Sequence, residues 1–319
     1  MNDFERKKAK EPDVKPTNWA VMRCFGGPRK TQMSQLLGAD GPLGQALPGY
    51  VERPSQISLA DAVYTGLKER KHVIAEAGTG TGKSLAALIP AIAYAREQGG
   101  ALRNKRIIVS TAMIILQDQY VRKDLPFLEK NIGITFKWTD RKGRSNYLCL
   151  ERYDQTEPED LFGQVAELRE ISEWLEDTET GDVNELPFDL SKLPKLKSAV
   201  TANADNCRGS KCPYLERSTP GSSCACFYYQ SNDRAVECEI IVVNHSLLVL
   251  NELFFGMVLP EYDALIIDEA HKLEDIVRNS LANTITPATF ESILKATKQA
   301  QILPEGRLES LTSRSKLSL

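Results

Sequence analysis

Val73-Ile74-Ala75-Glu76-Ala77-Gly78-Thr79-Gly80-Thr81-Gly82-Lys83-Ser84 is the stretch on which the fold turns. A short β-branched run enters a glycine-rich loop, and the loop passes into the helical text Ser84-Leu85-Ala86-Ala87-Leu88-Ile89. Strand, loop, helix is the context of a phosphate-binding P-loop. Glycines let the backbone curl so that successive N–H groups point at phosphate oxygens, and the helix adds its positive end. On this reading Gly78, Thr79, Gly80, Thr81 and Gly82 wrap the phosphates of ATP, and Lys83 meets the β- and γ-phosphates. The Ser84 hydroxyl helps to hold Mg²⁺. The first glycine of the strict pattern is replaced by Ala77. The stretch predicts a nucleotide-binding protein.

A P-loop enzyme needs carboxylates at the end of a second strand. Ala264-Leu265-Ile266-Ile267-Asp268-Glu269-Ala270-His271 supplies them after a buried apolar run. Asp268 is placed to bind Mg²⁺, and Glu269 to orient or deprotonate the attacking water. His271 can couple this site to a neighbouring surface. Two more apolar runs, Ile107-Ile108-Val109-Ser110-Thr111 and Ile240-Ile241-Val242-Val243-Asn244-His245, alternate with helical text and predict a parallel α/β sheet. Ser110 and Thr111 fall at the carboxyl end of their strand, before a helix expected from about Ala112 that carries Gln117 and Gln119. Hydroxyls there suit a polyanion backbone or serve as helix caps.

Upstream, Arg53-Pro54-Ser55-Gln56 precedes an amphipathic helix from Ile57 with Leu59, Ala62, Val63 and Leu67 on one face. A glutamine one helix ahead of a P-loop can read an adenine edge through its amide, although alone it reads equally as a neighbour of a helix cap. Arg53 and Gln56 are therefore both nucleotide-binding candidates.

From about Lys137 to Cys238 the α/β rhythm is interrupted. Basic residues interleaved with Trp138 and Tyr147 (137–149) can grip phosphates and stack bases, or form a solvated turn. Leu161, Val165, Leu168, Ile171 and Leu175 recur at helical spacing and predict packing. Cys149, Cys207, Cys212 and one of Cys224 and Cys226 gather soft thiolates in polar text that suits Zn²⁺ or an iron–sulfur cluster; spacing does not choose between them. Cys238, beside Ile240-Ile241-Val242-Val243, reads as a buried structural cysteine, and Cys24 receives no role.

Composition sets the outer limits. The 319 residues leave room for about two domains, and 42% hydrophobic content suffices for a core. The net charge of -3 announces no global basic field, though DNA-tracking proteins can confine basic residues to one groove. Seven cysteines, unevenly placed, do not make a disulfide scaffold. The charged start has no apolar signal core, and no apolar run approaches the roughly 18 residues that span a bilayer. The expectation is a cytoplasmic protein with no membrane partner.

Together these elements resemble the superfamily 2 iron–sulfur DNA helicases of the XPD-like group, in particular the bacterial DinG/YoaA branch. The resemblance is carried by the P-loop, the Asp-Glu-Ala-His box, the Gln56 element and the cysteine insert. It is also carried by Gly41-Pro42-Leu43-Gly44-Gln45-Ala46-Leu47-Pro48-Gly49-Tyr50, 143–152, Asn206-Cys207-Arg208-Gly209-Ser210-Lys211-Cys212-Pro213 and Ile241-Val242-Val243-Asn244-His245. It covers about residues 36 to 280. It implies an α/β, RecA-like P-loop parallel sheet with helices on both faces, interrupted by a mostly helical four-cysteine iron–sulfur insert. The implied activity is ATP-driven movement 5′ to 3′ on single-stranded or forked DNA in repair or replication, with a replication or repair protein as a further partner. The implied [4Fe–4S] ligands are Cys149, Cys207, Cys212 and Cys226, with Cys224 as a rival because Glu216 to Ala225 looks like an inserted loop.

On this basis the chain divides into a disordered leader (1–34), a first part of motor lobe 1 (35–136), the cluster insert (137–238), a second part of lobe 1 (239–280) and the start of a helical region (281–319). Beyond Asp275 we find a short helical stretch, about Ala288 to Ile302, and no Ser-Ala-Thr or Q-x-x-G-R-x-x-R element. The expectation is that the second motor lobe is absent and that the Ser/Leu-rich end is a cut or frameshifted terminus. Such a piece is expected to bind ATP but to hydrolyse it weakly and not to unwind DNA alone. The alternatives are a non-motor, ATP-dependent DNA-binding or regulatory module, and a zinc-binding P-loop protein.

Overall fold

The computed structural model describes residues 31–282 except 79, 98–104, 158, 160–162, 204–205 and 217–224, together with the backbone of Trp19–Ala20. It divides into two compact units, residues 1–273 and 274–319.

The first unit is built on a four-stranded, all-parallel sheet. Its strands are β3 (Ile107–Thr111), β4 (Trp138–Arg141), β5 (Ile240–Asn244) and β6 (Ala264–Ile267), in the order β4-β5-β3-β6. Val109 pairs with Val242 on one side and Ile266 on the other. Two shorter strands, β1 (Trp19–Ala20) and β2 (His72–Val73), pair in parallel with each other.

Period-2 alternation sorts the strand residues onto two faces. Ile107, Val109, Ile240 and Val242 pack beneath α1 (Gln32–Leu37), α3 (Pro54–Glu69) and α4 (Lys83–Arg96), against Met33, Leu37, Ala60, Leu88, Ile89 and Ile92. Ile108, Ile241 and Val243 face the opposite way, against Leu247 and Leu248 of α12 (His245–Leu253) and Ala235 of α11 (Phe227–Glu237). Helices thus cover both faces, as a parallel sheet requires. Helix α2 (Pro42–Ala46) packs Leu43 into the first of these cores.

Between β4 and β5 lies a small helical subdomain. It holds α7 (Leu150–Asp154), α8 (Val165–Asp177), α9 (Pro194–Val200) and α10 (Pro213–Glu216), around Leu148, Ile171, Leu196, Val200 and Phe227. Leu168 and Leu175 pack on this core as their spacing predicts, whereas Val165 is exposed and Leu161 lies outside the described residues.

Two boundaries differ from the sequence reading. Residues 138–141 pair with β5, so the excursion from the sheet begins after Arg141 rather than at 137. Thr31 and Ser34, within the span read as leader, form a reciprocal capping box that starts α1 and buries Met33.

The junction of sheet and subdomain is a buried ion cluster. Lys142 is 1% exposed and lies 2.5 Å from Asp182, 2.6 Å from Asp118 and 3.6 Å from Asp140. Burial works against its charge, and the Asp182, Asp118 and Asp140 carboxylates overcome that and raise its pKa. Asp118 belongs to α5 (Ile114–Gln119), Asp140 to β4 and Asp182 to the subdomain. One cation therefore ties three separate segments. At the surface, Arg122 and Glu185 make a second link at 3.1 Å.

In the second unit, the described residues continue α13 (Leu273–Leu281), where Arg278 bridges Glu274 and Asp275 along one helix face. Residues 283–319, including the stretch expected to be helical at 288–302, lie outside the described residues.

Candidate functional site

The P-loop leaves β2 and ends on α4, whose first residue is Lys83. Gly80 (φ +73°) and Gly82 (φ +80°) occupy left-handed backbone, which explains glycine at both. Thr81 Oγ1 donates to the Gly78 carbonyl at 2.8 Å and closes the turn. Thr79 lies outside the described residues.

Helix α3 braces the loop from the side. The Arg53 guanidinium donates to the Gly80 carbonyl. The amide Nε2 of Gln56 donates to the Gly82 carbonyl at 3.1 Å, and Tyr50 Oη lies 3.4 Å from its Oε1. A Cβ added to Gly82 would run into the Gln56 amide. Gln56 is buried in the first turn of α3, which begins at Pro54 rather than Ile57 because proline suits a first helical turn.

The acidic box follows β6. The Asp268 backbone N–H donates to the Ser110 carbonyl at 2.8 Å, which extends the β3–β6 ladder by one bond and seats Asp268 at the strand ends. Glu269 then takes left-handed backbone (φ +55°), unusual for a residue with a side chain. Its Oε1 lies 3.5 Å from Lys83 Nζ and its Oε2 lies 3.4 Å from His271 Nδ1. The His271 side chain is otherwise exposed.

Two residues that sequence reading left without a role complete this end of the sheet. Tyr120 donates its hydroxyl to Asp268 Oδ2 at 2.9 Å. His245 is buried with Nδ1 2.7 Å from Ser110 Oγ. Burial lowers its pKa, against the pull of the neighbouring Glu269 and Asp268 backbone, so the ring is neutral near pH 7.

Ser110 and Thr111 are therefore interior and do not offer hydroxyls to a polyanion, nor does Thr111 cap the next helix. The N-cap is Met113, two residues later than expected. Gln117 is likewise buried and donates to the Arg141 and Val242 carbonyls.

Ser84 and Asp268 are hard oxygen donors of the kind Mg²⁺ takes. Asp268 accepts from the Tyr120 hydroxyl and Ser84 acts on the same phenol. The donor set fits the ion.

The basic, aromatic stretch 137–149 does not form a base-stacking surface. Trp138 packs on the sheet core, and Tyr147 and Arg141 are buried. Arg141 donates to the Tyr228 carbonyl and to Ser231 Oγ, with its guanidinium 4.2 Å from the Tyr228 ring centroid. Lys142 is consumed by the carboxylate cluster. Arg141 and Lys142 are turned inward because the strand end is where the subdomain is anchored, whereas Lys137 is exposed.

The neighbours of Cys149 and Cys226, Leu148 and Phe227, share the subdomain core. Cys149 precedes α7 and Cys226 precedes α11. Burial raises the Cys149 thiol, and the Cys212 and Cys207 sulfurs add to the rise, so these three share one neighbourhood. Cys207 and Cys226 both act on Tyr229. The Gly209 N–H reaches Cys207 Sγ at 3.4 Å, and Arg208 pairs with Glu151 at 2.6 Å. Among the described residues, no three of these sulfurs lie within 4.8 Å of one another, so no single-ion site is preformed. Cys224 lies outside the described residues. Cys238 packs beside β5, and burial pushes its thiol up to about 11, in keeping with a structural cysteine.

Comparison with known proteins supplies the family. Residues 53–181 match the model for "DEAD/DEAH box helicase" and residues 208–290 match the DEAD_2 model. The chain is 32% identical over 273 residues to ATP-dependent DNA helicase YoaA of Haemophilus influenzae, covering 83% of this chain and 40% of the relative. It is 34% identical to the Escherichia coli YoaA helicase, covering 84% of this chain and 42% of that one. Against ATP-dependent helicase DinG of Mycobacterium tuberculosis the identity is 34%, covering 76% and 37%. The chain thus spans about two fifths of the length of the curated relatives it matches. The P-loop falls within the first domain match and the Asp-Glu-Ala-His box within the second, so the chain carries DEAD/DEAH box helicase and DEAD_2 domains and is similar over them to the YoaA and DinG helicases.

Proposed function

We propose that this chain is the ATP-binding motor lobe of a DNA helicase that moves 5′ to 3′ on single-stranded or forked DNA. The observation that carries the reading is the meeting of Lys83 and Glu269, 186 residues apart in sequence and 3.5 Å apart in space, beside Asp268. In this reading Lys83 leaves the Glu269 carboxylate for the β- and γ-phosphates when ATP enters. Glu269 is then free to orient the attacking water and accept its proton. Asp268 and Ser84 hold Mg²⁺, which supplies charge neutralisation at the transferring phosphate when bound. Arg53 and Gln56 keep the loop in its phosphate-binding shape. His271 faces outward, where a neighbouring surface can sense the state of Glu269.

In the insert, Cys149, Cys207, Cys212 and Cys226 are the proposed ligands of a [4Fe–4S] cluster. The support is a soft donor set in which Cys207 and Cys212 act on the Cys149 thiol. No helix among the described residues is long and apolar enough to cross a membrane.

The test is equilibrium binding of a fluorescent ATP analogue and of labelled single-stranded DNA to the wild type, Lys83→Ala and Glu269→Gln. Lys83→Ala is expected to weaken nucleotide binding at least tenfold while DNA binding persists. Glu269→Gln is expected to bind both ligands and to abolish whatever DNA-stimulated turnover the wild type shows. DNA binding with nucleotide affinity unchanged in Lys83→Ala would overturn the motor reading in favour of a DNA-binding module.

A further inference from the structure

Tyr120 belongs to none of the motifs, yet it sits at the point where they meet. Its side chain is 3% exposed, and a buried hydroxyl needs partners. It donates to Asp268 Oδ2 at 2.9 Å. Asp268 is one of the two residues placed at the divalent cation. Phenylalanine would fill the same space, so packing alone does not account for the hydroxyl.

The backbone around it is built to deliver it. Tyr120 opens a π-helical turn, Tyr120–Asp124, that follows α5 and leads into α6 (Leu125–Asn131). The Leu125 N–H bonds the Tyr120 carbonyl five residues back. In an unbroken α-helix residues five apart point roughly 140° away from each other. The wider turn brings them to one side, so Tyr120 reaches Asp268 while Leu125 and Leu128 stay in the sheet core. π turns of this kind recur at functional sites.

Asp268 is consequently gripped at both oxygens. Oδ2 takes the Tyr120 hydroxyl, and Oδ1 takes the backbone N–H of Glu269 at 3.1 Å. Each carboxylate oxygen keeps a lone pair, so the plane of the group is set while its capacity to bind an ion remains.

We propose that Tyr120 is a positioning residue for the Mg²⁺ site: its hydroxyl orients the Asp268 carboxylate for the ion that accompanies ATP. This rests on the nucleotide-binding reading above. Hydrogen bonds to metal-ligating carboxylates commonly change metal affinity by about 10–100-fold when removed.

The experiment is a Mg²⁺ titration of fluorescent ATP-analogue binding to the wild type and Tyr120→Phe, with affinity in EDTA and thermal melting measured alongside. The expected result is a Mg²⁺ half-saturation point raised about tenfold, with EDTA affinity and melting unchanged. The rise should vanish when Tyr120→Phe is made in an Asp268→Asn background. An unchanged half-saturation point, or a rise of the same size without Asp268, overturns the inference. If Tyr120→Phe does not fold, 3-fluorotyrosine at position 120 keeps the hydroxyl and reports by fluorine NMR. Its resonance should move with Mg²⁺ and nucleotide but not with nucleotide in EDTA, and a resonance indifferent to Mg²⁺ overturns the inference. Failure of the wild type to bind nucleotide at all would instead overturn the functional reading.

Discussion

Gln56 donates its side-chain amide to the carbonyl of Gly82 at 3.1 Å, so the helix before the P-loop holds the loop's last turn from the side. The two residues are also in steric register: Gly82 has left-handed backbone, and the space a Cβ would take is filled by that amide. Adenine recognition and loop bracing can share one residue only if the amide is shared between them.

Gly82→Ala is therefore expected to suffer twice. Left-handed backbone costs about 1–2 kcal/mol for a residue with a side chain. Forcing a methyl group into filled space typically adds about 1–3 kcal/mol. Chemical denaturation should show the loss, and adding Gln56→Ala should recover the collision while leaving the backbone cost. A Gly82→Ala protein as stable as the wild type would show that the loop is not braced as described.

The cysteine insert gives a prediction that separates iron from zinc. Anaerobically purified wild type should show a broad absorbance band near 400 nm with about four irons per chain, as thiolate-bound [4Fe–4S] clusters do. Cys212→Ser should remove the band, because Cys212 is buried in the shared thiol neighbourhood. Cys238→Ser should keep it, because that thiol belongs to the sheet packing. A colourless wild type holding zinc, or no metal, would overturn the cluster assignment and leave the P-loop reading intact.

These contrasts also show which parts of the molecule were legible in the sequence. The P-loop and the acidic box were, because their chemistry demands unusual residues in a fixed order: glycines where the backbone turns left-handed, and carboxylates after a buried strand. The apolar runs that became β3, β5 and β6 were equally plain. Strand β4 was not, because Trp-Thr-Asp-Arg has little apolar character and lies at a sheet edge with one neighbour. Arg141 and Lys142 read as surface cations because burial of a charge depends on partners that are far away in sequence, here Tyr228, Ser231, Asp118 and Asp182. Tyr120 escaped for another reason. Its direction is set by a π turn, which no residue pattern announces.

The Lys142 cluster carries the strongest stability prediction. Lys142→Met keeps the volume but leaves Asp118, Asp140 and Asp182 together, with their carboxylate oxygens within 4.8 Å and no cation among them. Removing one partner from a buried ionic network typically costs about 3–5 kcal/mol. The pH dependence has a definite sign. Burial already raises the pKa of Asp140 in the wild type, against the opposing pull of Lys142. Without the lysine Asp140 should titrate higher still, so the native state binds protons more readily than the unfolded chain. Its relative stability then rises as pH falls toward that raised value. Urea denaturation of Lys142→Met should accordingly show a deficit that is largest near pH 8 and narrows near pH 5. Because the three carboxylates come from α5, β4 and the subdomain, hydrogen exchange should also speed up at 140–148 and 180–186 before it does so in β3. A deficit independent of pH would mean that the lysine matters through packing, and that the charges do not hold the junction together.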